Sequence, residues 1–391
     1  MKTEPKLRTL SLKGFKTLRD VQLEFSDLNI LIGANGSGKS NLIAFFRMLR
    51  SMMLSPGELQ LYVGRNGYAG ALLFDGPLVT REIEAHISVD DDKGHNNHHT
   101  RLKYYFRLTH TSEDRLIFVN EECRFNDSTP SEIIEWISNE VGHRESGLTT
   151  STDKTAQTIR RMLLRFVVYQ FHNTSEASRI KSRWSVTDGR FLKEDGGNLA
   201  AVLYSLRENF NKYYRIIVET IRQIAPFFAD FELEPENGTL YLSWREIGSD
   251  VIFGAHQASD GTLRAMALIT LLLLPDEYLP SLVILDEPEL GLHPAAIGLV
   301  GGLLKSLSRR RQIIVATQSP TLLDQFDPED VIVTERVGRS STVERSSTVE
   351  RSSTLGRSST YTRLDAERLK EWLDEYALST LWDSNVLGGR P

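Results

Sequence analysis

Residues 33–40 read Gly33-Ala34-Asn35-Gly36-Ser37-Gly38-Lys39-Ser40, two glycines with four residues between them, then a lysine and a serine. That spacing suits phosphoryl chemistry. Glycines let successive backbone N–H groups turn inward around a phosphate, and a helix beginning there adds the positive end of its dipole. Asn35, Gly36, Ser37 and Gly38 are the candidate cradle, Lys39 the group that reaches the β- and γ-phosphates, and Ser40 a candidate Mg²⁺ ligand. A second acidic motif is Leu282-Val283-Ile284-Leu285-Asp286-Glu287, an apolar run ending in two carboxylates. Such a run is a buried strand, and Asp286 emerges at its carboxyl end, where open α/β sheets bind ligands. Asp286 would hold Mg²⁺ through water, and Glu287 would act as general base toward an attacking water.

A third motif, Ser259-Asp260-Gly261-Thr262-Leu263-Arg264, opens a helix upstream of Asp286. Ser259 can cap that helix and Gly261 permits close backbone approach, which makes a second anion-binding helix end. One chain already has its γ-phosphate site in the loop at 33–40. A second end is useful mainly in trans, closing over a nucleotide held by another subunit.

The elements that must position these groups follow from periodicity. Alternation at 7–12 and 21–25 predicts two strands with Gly14 as a turn between them, and 28–32 reads as a short buried strand before the loop. Residues 41–49 have helical spacing. Strand-like runs at 78–89 and 101–108 flank a polar hairpin loop at 90–100, and 130–154 is expected to form a short helix plus loop. A helix at 155–164 feeds a strand at 165–171. Two helices fall between 197 and 228, followed by strands broken at Asn237-Gly238. The last third alternates helix 261–274, strand 282–285, helix 294–308 and strand 312–316, the order of crossover helices over a mostly parallel sheet.

Composition limits what such a site can serve. The chain has 391 residues with 46 Lys+Arg against 52 Asp+Glu, a net charge of −6, and its 40% hydrophobic content is that of an ordinary globular protein. That length predicts two or three domains of ordinary size. Cys123 is the one cysteine, which excludes an internal disulfide and cysteine-built metal sites and fits a reducing compartment. The longest apolar run, 265–274, is about half of what a bilayer crossing needs, and the amino terminus carries no signal-type apolar stretch, so a cytoplasmic, non-membrane protein is expected. Mild acidity argues against a chain coated with nucleic acid but leaves room for local basic patches.

In the order phosphate loop, Ser-Asp-Gly-Thr signature, Asp286-Glu-Pro-Glu-Leu-Gly-Leu-His-Pro294 and Ala316-Thr-Gln-Ser-Pro320, the sequence resembles the ABC/SMC-type ATPases. It is most similar to the RecF-like bacterial AAA-family ATPases that lack a long coiled coil and transmembrane domains. The resemblance also takes in Leu12-Lys-Gly-Phe15 and the terminal Leu387-Gly-Gly-Arg-Pro. It implies an α/β P-loop NTPase of ABC/SMC head type, with a mostly parallel core sheet, an N-terminal β-rich lobe and a short helical insertion. It further implies a homodimer sandwiching two ATP molecules with Mg²⁺, extending to a higher oligomer as an option, in which Ser259 and Gly261 contact the partner's γ-phosphate and Glu289 to His293 form the D-loop. Gln318 occupies the switch position that usually holds His; its amide can donate to a γ-phosphate but cannot take up a proton or a charge. Gln170 is the Q-loop candidate for Mg²⁺ and the attacking water, with His172 and Asn173 as competitors.

The expected organisation is one interrupted fold: 1–170 the first part of the head with its β-rich insertion, 171–258 the Q-loop region and helical insertion, 259–335 the second part of the head, and 336–391 a repeat-bearing arm with a C-terminal helix. Arg-Ser-Ser-Thr recurs at 339, 345, 351 and 357, most simply a tandem expansion of a surface hairpin. His95, His98 and His99 beside Asp90–Asp92 read as a solvated loop rather than a metal site. Arg309–Arg311 reads as a helix end complementing its dipole. Arg160, Arg161, Arg165, Arg179, Lys181 and Arg183 are candidates for a DNA-facing surface, with a scattered charged face as the plainer reading. These motifs point to an Mg²⁺-dependent ATPase that gates a partner, and the family resemblance implies a separately encoded effector such as a nuclease or toxin, in antiphage defence or DNA maintenance. The alternative is a nucleotide-gated scaffold or sensor with negligible hydrolysis; an ABC-transporter subunit is disfavoured by the Ser-Asp-Gly-Thr form of the signature.

Overall fold

The computed structural model describes residues 4–91, 100–127, 133–137, 141–337 and 358–389. The histidines at 95, 98 and 99 and the first three Arg-Ser-Ser-Thr copies lie outside them. The core is a six-stranded sheet in the order Ser358–Arg363, Val331–Val337, Leu28–Ile32, Gln312–Thr317, Leu282–Asp286, Phe166–Tyr169. Its strands run parallel except Ser358–Arg363, which is antiparallel to Val331–Val337. The mostly parallel α/β core expected from the sequence is the one observed.

Why these strands read as unbroken apolar runs is plain from their surroundings. Helices or a second sheet cover both faces, so both sets of alternating side chains are buried. Ile30, Ile32, Val283, Leu285, Ile313 and Val315 face one cluster with helices Leu199–Asn209, Asn211–Ile224, Asp260–Leu273 and Pro294–Ser308. Their neighbours Leu31, Leu282, Ile284, Ile314 and Ala316 face the other cluster, built on helix Lys39–Leu54 and the N-terminal lobe.

That lobe is a six-stranded antiparallel sheet in the order Leu18–Glu24, Lys6–Phe15, Glu82–Asp91, Thr100–His110, Leu116–Asp127, Ile133–Ile137. Helix Lys39–Leu54 lies between lobe and core; Phe45 contacts Phe15 edge-on and stacks with Phe106 of the lobe. Two expectations are corrected here. The segment at 133–137 is a strand, not part of a helix and loop; its apolar Ile133, Ile134, Trp136 and Ile137 add to the sheet edge next to Leu116–Asp127. The first turn falls at Lys16 rather than Gly14: Phe15 pairs with Leu18, and Lys16 takes a left-handed φ of 49°.

The basic residues proposed for a DNA-facing surface are engaged within the chain. Arg160 donates to the Met53 and Leu54 carbonyls, Arg161 to the Gln157 carbonyl, Arg165 to the Leu279 carbonyl. Arg179 pairs with Asp195, Lys181 with Glu176 and Arg183 with Glu236. Arg310 and Arg311 pair with Asp276. The scattered-face and structural readings fit these contacts. Among the described residues no helix is long and apolar enough to cross a membrane.

Candidate functional site

Strand Leu28–Ile32 ends at Gly33, and the loop turns into helix Lys39–Leu54 through Gly36 and Gly38, whose φ values of 76° and 125° an L side chain rarely adopts. A Cβ on Gly38 would stand 2.2 Å from Ser359 Oγ. No side chain caps the helix start, and the Gly38 carbonyl takes the Asn41 and Leu42 N–H groups, so the helix N–H groups ahead of Asn41 are the ones placed for an anion. Asn35, Gly36 and Ser40 are exposed, whereas Ser37 and Lys39 are buried. Lys39 Nζ donates to the Gly33 carbonyl and, at 3.0 Å, to the Ala34 carbonyl. Burial lowers its pKa to about 8, against the opposing pull of Glu287, Asp286 and Glu289. The Ser37 hydroxyl is buried without a partner. A glycine-rich loop, an uncapped helix end and a lysine whose ammonium is held by loop carbonyls together fit a nucleotide phosphate.

Three neighbouring strand ends complete the cluster. Asp286 closes strand Leu282–Asp286 and lies level with Ala316 on the next strand. Its carboxyl is pushed up by burial, with Arg47 the largest opposing influence. Gln170, just beyond strand Phe166–Tyr169, donates from Nε2 to Asp286 Oδ2 at 3.1 Å. Glu287 takes a left-handed φ of 46°, a conformation that costs about 1–3 kcal/mol for a non-glycine residue and is concentrated at functional sites. Gln318 donates from Nε2 to Glu287 Oε1. Lys39, Asp286, Glu287, Gln318 and Gln170 therefore converge at the carboxyl ends of adjacent parallel strands. Of the Q-loop competitors, His172 contacts the Gln170 amide at 3.1 Å and the Glu287 carbonyl at 3.4 Å, while Asn173 binds Ser175.

Ser259 and Gly261 are placed elsewhere. The Ser259 hydroxyl accepts from Thr262 N–H at 3.1 Å and caps helix Asp260–Leu273, as its position predicts. Gly261 packs against the Gly291 carbonyl, where a Cβ would stand at 2.5 Å. Both line a cavity of about 180 Å³ with Gly291 and His293, and no residue of the phosphate loop lines it.

Other residues join the site through contacts that the motifs do not specify. Glu289, the first residue of the expected D-loop segment, is turned inward: Oε1 accepts from Thr317 Oγ1 and from Gln318 N–H at 3.3 Å, and burial raises its pKa. Arg264 bridges the signature helix to the His172 and Leu290 carbonyls at 3.0 and 3.3 Å. Arg47 donates to Gln170 Oε1 at 2.8 Å; a charge in the otherwise apolar run 42–49 is the signal that could have exposed it. Ser359, from the last Arg-Ser-Ser-Thr copy, is buried against the loop, and Tyr361 OH donates to the Gly38 carbonyl at 2.9 Å. Ala34 N–H donates to the Gly389 carbonyl at 2.8 Å, so the terminal glycines also brace the loop.

A protein-family profile described as "AAA domain, putative AbiEii toxin, Type IV TA system" matches residues 28–324, which hold every site residue expected from the sequence motifs. Among curated proteins, none matches the sequence. Among solved structures, the chain is similar to an Smc head bound to the C-winged helix domain of ScpA, at 17% identity and a TM-score of 0.57, covering 93% of this chain and 99% of that one. It is also similar to the Smc head with an extended coiled coil from Pyrococcus furiosus bound to the C-terminal domain of ScpA, at 16% identity and a TM-score of 0.54, covering 95% and 99%. At such identities the likeness speaks for the fold: this is a P-loop NTPase core of the SMC-head kind.

Proposed function

Since the chain belongs to this AAA-domain family, whose members are nucleotide-binding ATPases of ABC/SMC type, we propose that it binds ATP with Mg²⁺ and hydrolyses it to ADP and phosphate. The observation that carries the reading is the convergence of Lys39, Asp286, Glu287, Gln318 and Gln170 at neighbouring strand ends beside an uncapped helix start. Asn35, Gly36, Ser37 and Gly38 present the backbone cradle, and Lys39 supplies a cation to the β- and γ-phosphates. Ser40 and Asp286 are oxygen donors of the kind Mg²⁺ takes, with Gln170 beside them. Bound Mg²⁺ would screen the phosphate oxygens. Glu287 takes the proton of an attacking water as general base, its carboxylate held by the Gln318 amide.

The signature end completes such a site from a second copy. Ser259 and Gly261 open onto a cavity that no phosphate-loop residue lines, so a head-to-tail homodimer is the arrangement in which each signature meets a nucleotide. Closure on ATP and opening after hydrolysis would then gate a separately encoded effector such as a nuclease. Antiphage defence is the setting we favour over DNA maintenance, because the family description refers to toxin–antitoxin systems. The neutral Gln318 amide favours one alternative, a nucleotide-gated scaffold that turns over negligibly.

Phosphate release and sedimentation, compared between wild type and Glu287→Gln, test the reading. Loss of turnover by about 10²–10⁴-fold, the usual size of a general-base contribution, with an ATP-trapped dimer is expected. Equal turnover in both proteins sinks the role of Glu287, and a wild type that dimerises on ATP without turnover selects the scaffold.

A further inference from the structure

Arg47 sits about two turns beyond Lys39 on the phosphate-loop helix. Its Nη2 donates to Gln170 Oε1 at 2.8 Å, while Gln170 Nε2 donates to Asp286 Oδ2 and lies against His172 Nδ1, both at 3.1 Å. A guanidinium has donors and no acceptor, so only the carbonyl end of the amide can face it. The NH₂ end is then committed to the Asp286 carboxylate. Mg²⁺ takes oxygen ligands, so the amide stands reversed relative to the orientation a metal ligand requires.

We propose that Arg47 is a positioning residue that holds Gln170 in this metal-averse orientation and thereby sets the Mg²⁺ concentration at which nucleotide binds. The inference rests on the nucleotide-site reading above and extends it from which residues hold the metal to how readily they admit it. For Gln170 to offer its carbonyl beside Asp286, the amide must turn over and give up three bonds: to Arg47, to His172, and from its NH₂ to the Asp286 carboxylate, whose place the metal then takes. The terminal torsion of a glutamine is broad and roughly two-fold, so the turn needs no repacking of the strand. The bond given up to Arg47 is charge-assisted. Removing it in advance is expected to lower the half-saturating Mg²⁺ concentration by about tenfold.

The test titrates Mg²⁺ against a fluorescent non-hydrolysable ATP analogue bound to the full chain. Wild type is compared with Arg47→Met, Gln170→Ala and the double variant, each checked by thermal unfolding. Arg47→Met should shift half-saturation about tenfold lower, and the same change in the Gln170→Ala background should shift it little. An unchanged or raised Mg²⁺ requirement in Arg47→Met overturns the proposal. So does an equal shift with Gln170 already removed, which would make Arg47 merely a charge near Asp286. Should Arg47→Met fail to fold, Arg47→Lys, which keeps the charge but loses the planar fork, must move in the same direction. A wild type that binds no analogue at any Mg²⁺ level overturns the nucleotide reading together with this one, whereas binding with no Arg47 effect overturns this one alone.

Discussion

Truncating Gln318 should slow the chemical step and leave ATP affinity in place. Strand Gln312–Thr317 lies in register with Leu282–Asp286, Ala316 opposite Asp286, which brings the residues just beyond each strand side by side. There the Gln318 amide donates to Glu287 Oε1, while the Gln318 backbone N–H is fixed at 3.3 Å by Glu289. Glu287 N–H is in turn held by the Ala316 carbonyl at 2.8 Å, so backbone bonds anchor both partners and the side-chain bond aims the carboxylate. A hydrogen bond to an ionised group is worth about 1.5–3 kcal/mol. If that bond fixes the direction of the general base, Gln318→Ala should lower kcat by about 10–150-fold. Phosphate release across ATP concentrations gives kcat and KM, and analogue binding gives affinity separately. The decisive comparison adds Gln318→Ala to Glu287→Gln: a residue that acts through Glu287 has little left to remove, so the combined loss should barely exceed that of Glu287→Gln alone. Gln318→His, which restores a ring N–H donor, should recover most of the rate. Unchanged kcat in Gln318→Ala, or full additivity in the double variant, refutes the argument.

The phosphate loop supports two further expectations. Gly38→Ala combines a φ of 125° with a Cβ 2.2 Å from Ser359 Oγ; backbone strain and overpacking together should cost about 2–4 kcal/mol, read by denaturant unfolding, with loss of ATP binding. The lowered pKa of Lys39, about 8, puts its charge within reach of ordinary buffers. The ammonium is present below that pH and lost as pH rises through it. Metal-free ATP affinity should therefore weaken by about tenfold per pH unit above 8, and Lys39→Met should abolish that slope in calorimetric titrations.

How much of this was legible in advance varied with the range of the interaction. Strand Leu28–Ile32 and helices such as Pro294–Ser308 were readable because their signals are local: an unbroken apolar run, and helical spacing opened by a proline. Strand Ile133–Ile137 was not, because its polar sequence surroundings hid a short segment that joins a sheet whose other strands come from 6–127. The Arg-Ser-Ser-Thr repeat looked like surface decoration, yet its last copy supplies Ser359, which packs on Gly38 from more than three hundred residues away.

For the candidate site the division follows the same rule. By itself the sequence determined the phosphate loop, the acidic strand end and the capped signature helix, since each is a contiguous stretch whose backbone conformation follows from glycine, proline, cap and apolar spacing. Tertiary structure alone decided that Glu289 turns inward to Thr317, that Arg264 joins the signature helix to the His172 carbonyl, and that Arg47 turns the Gln170 carbonyl away from Asp286. Those outcomes depend on which donors and acceptors the packed strands and helices bring within about 3 Å of one another. No local pattern encodes that meeting, because a side-chain hydrogen bond is chosen by neighbours in space rather than in sequence.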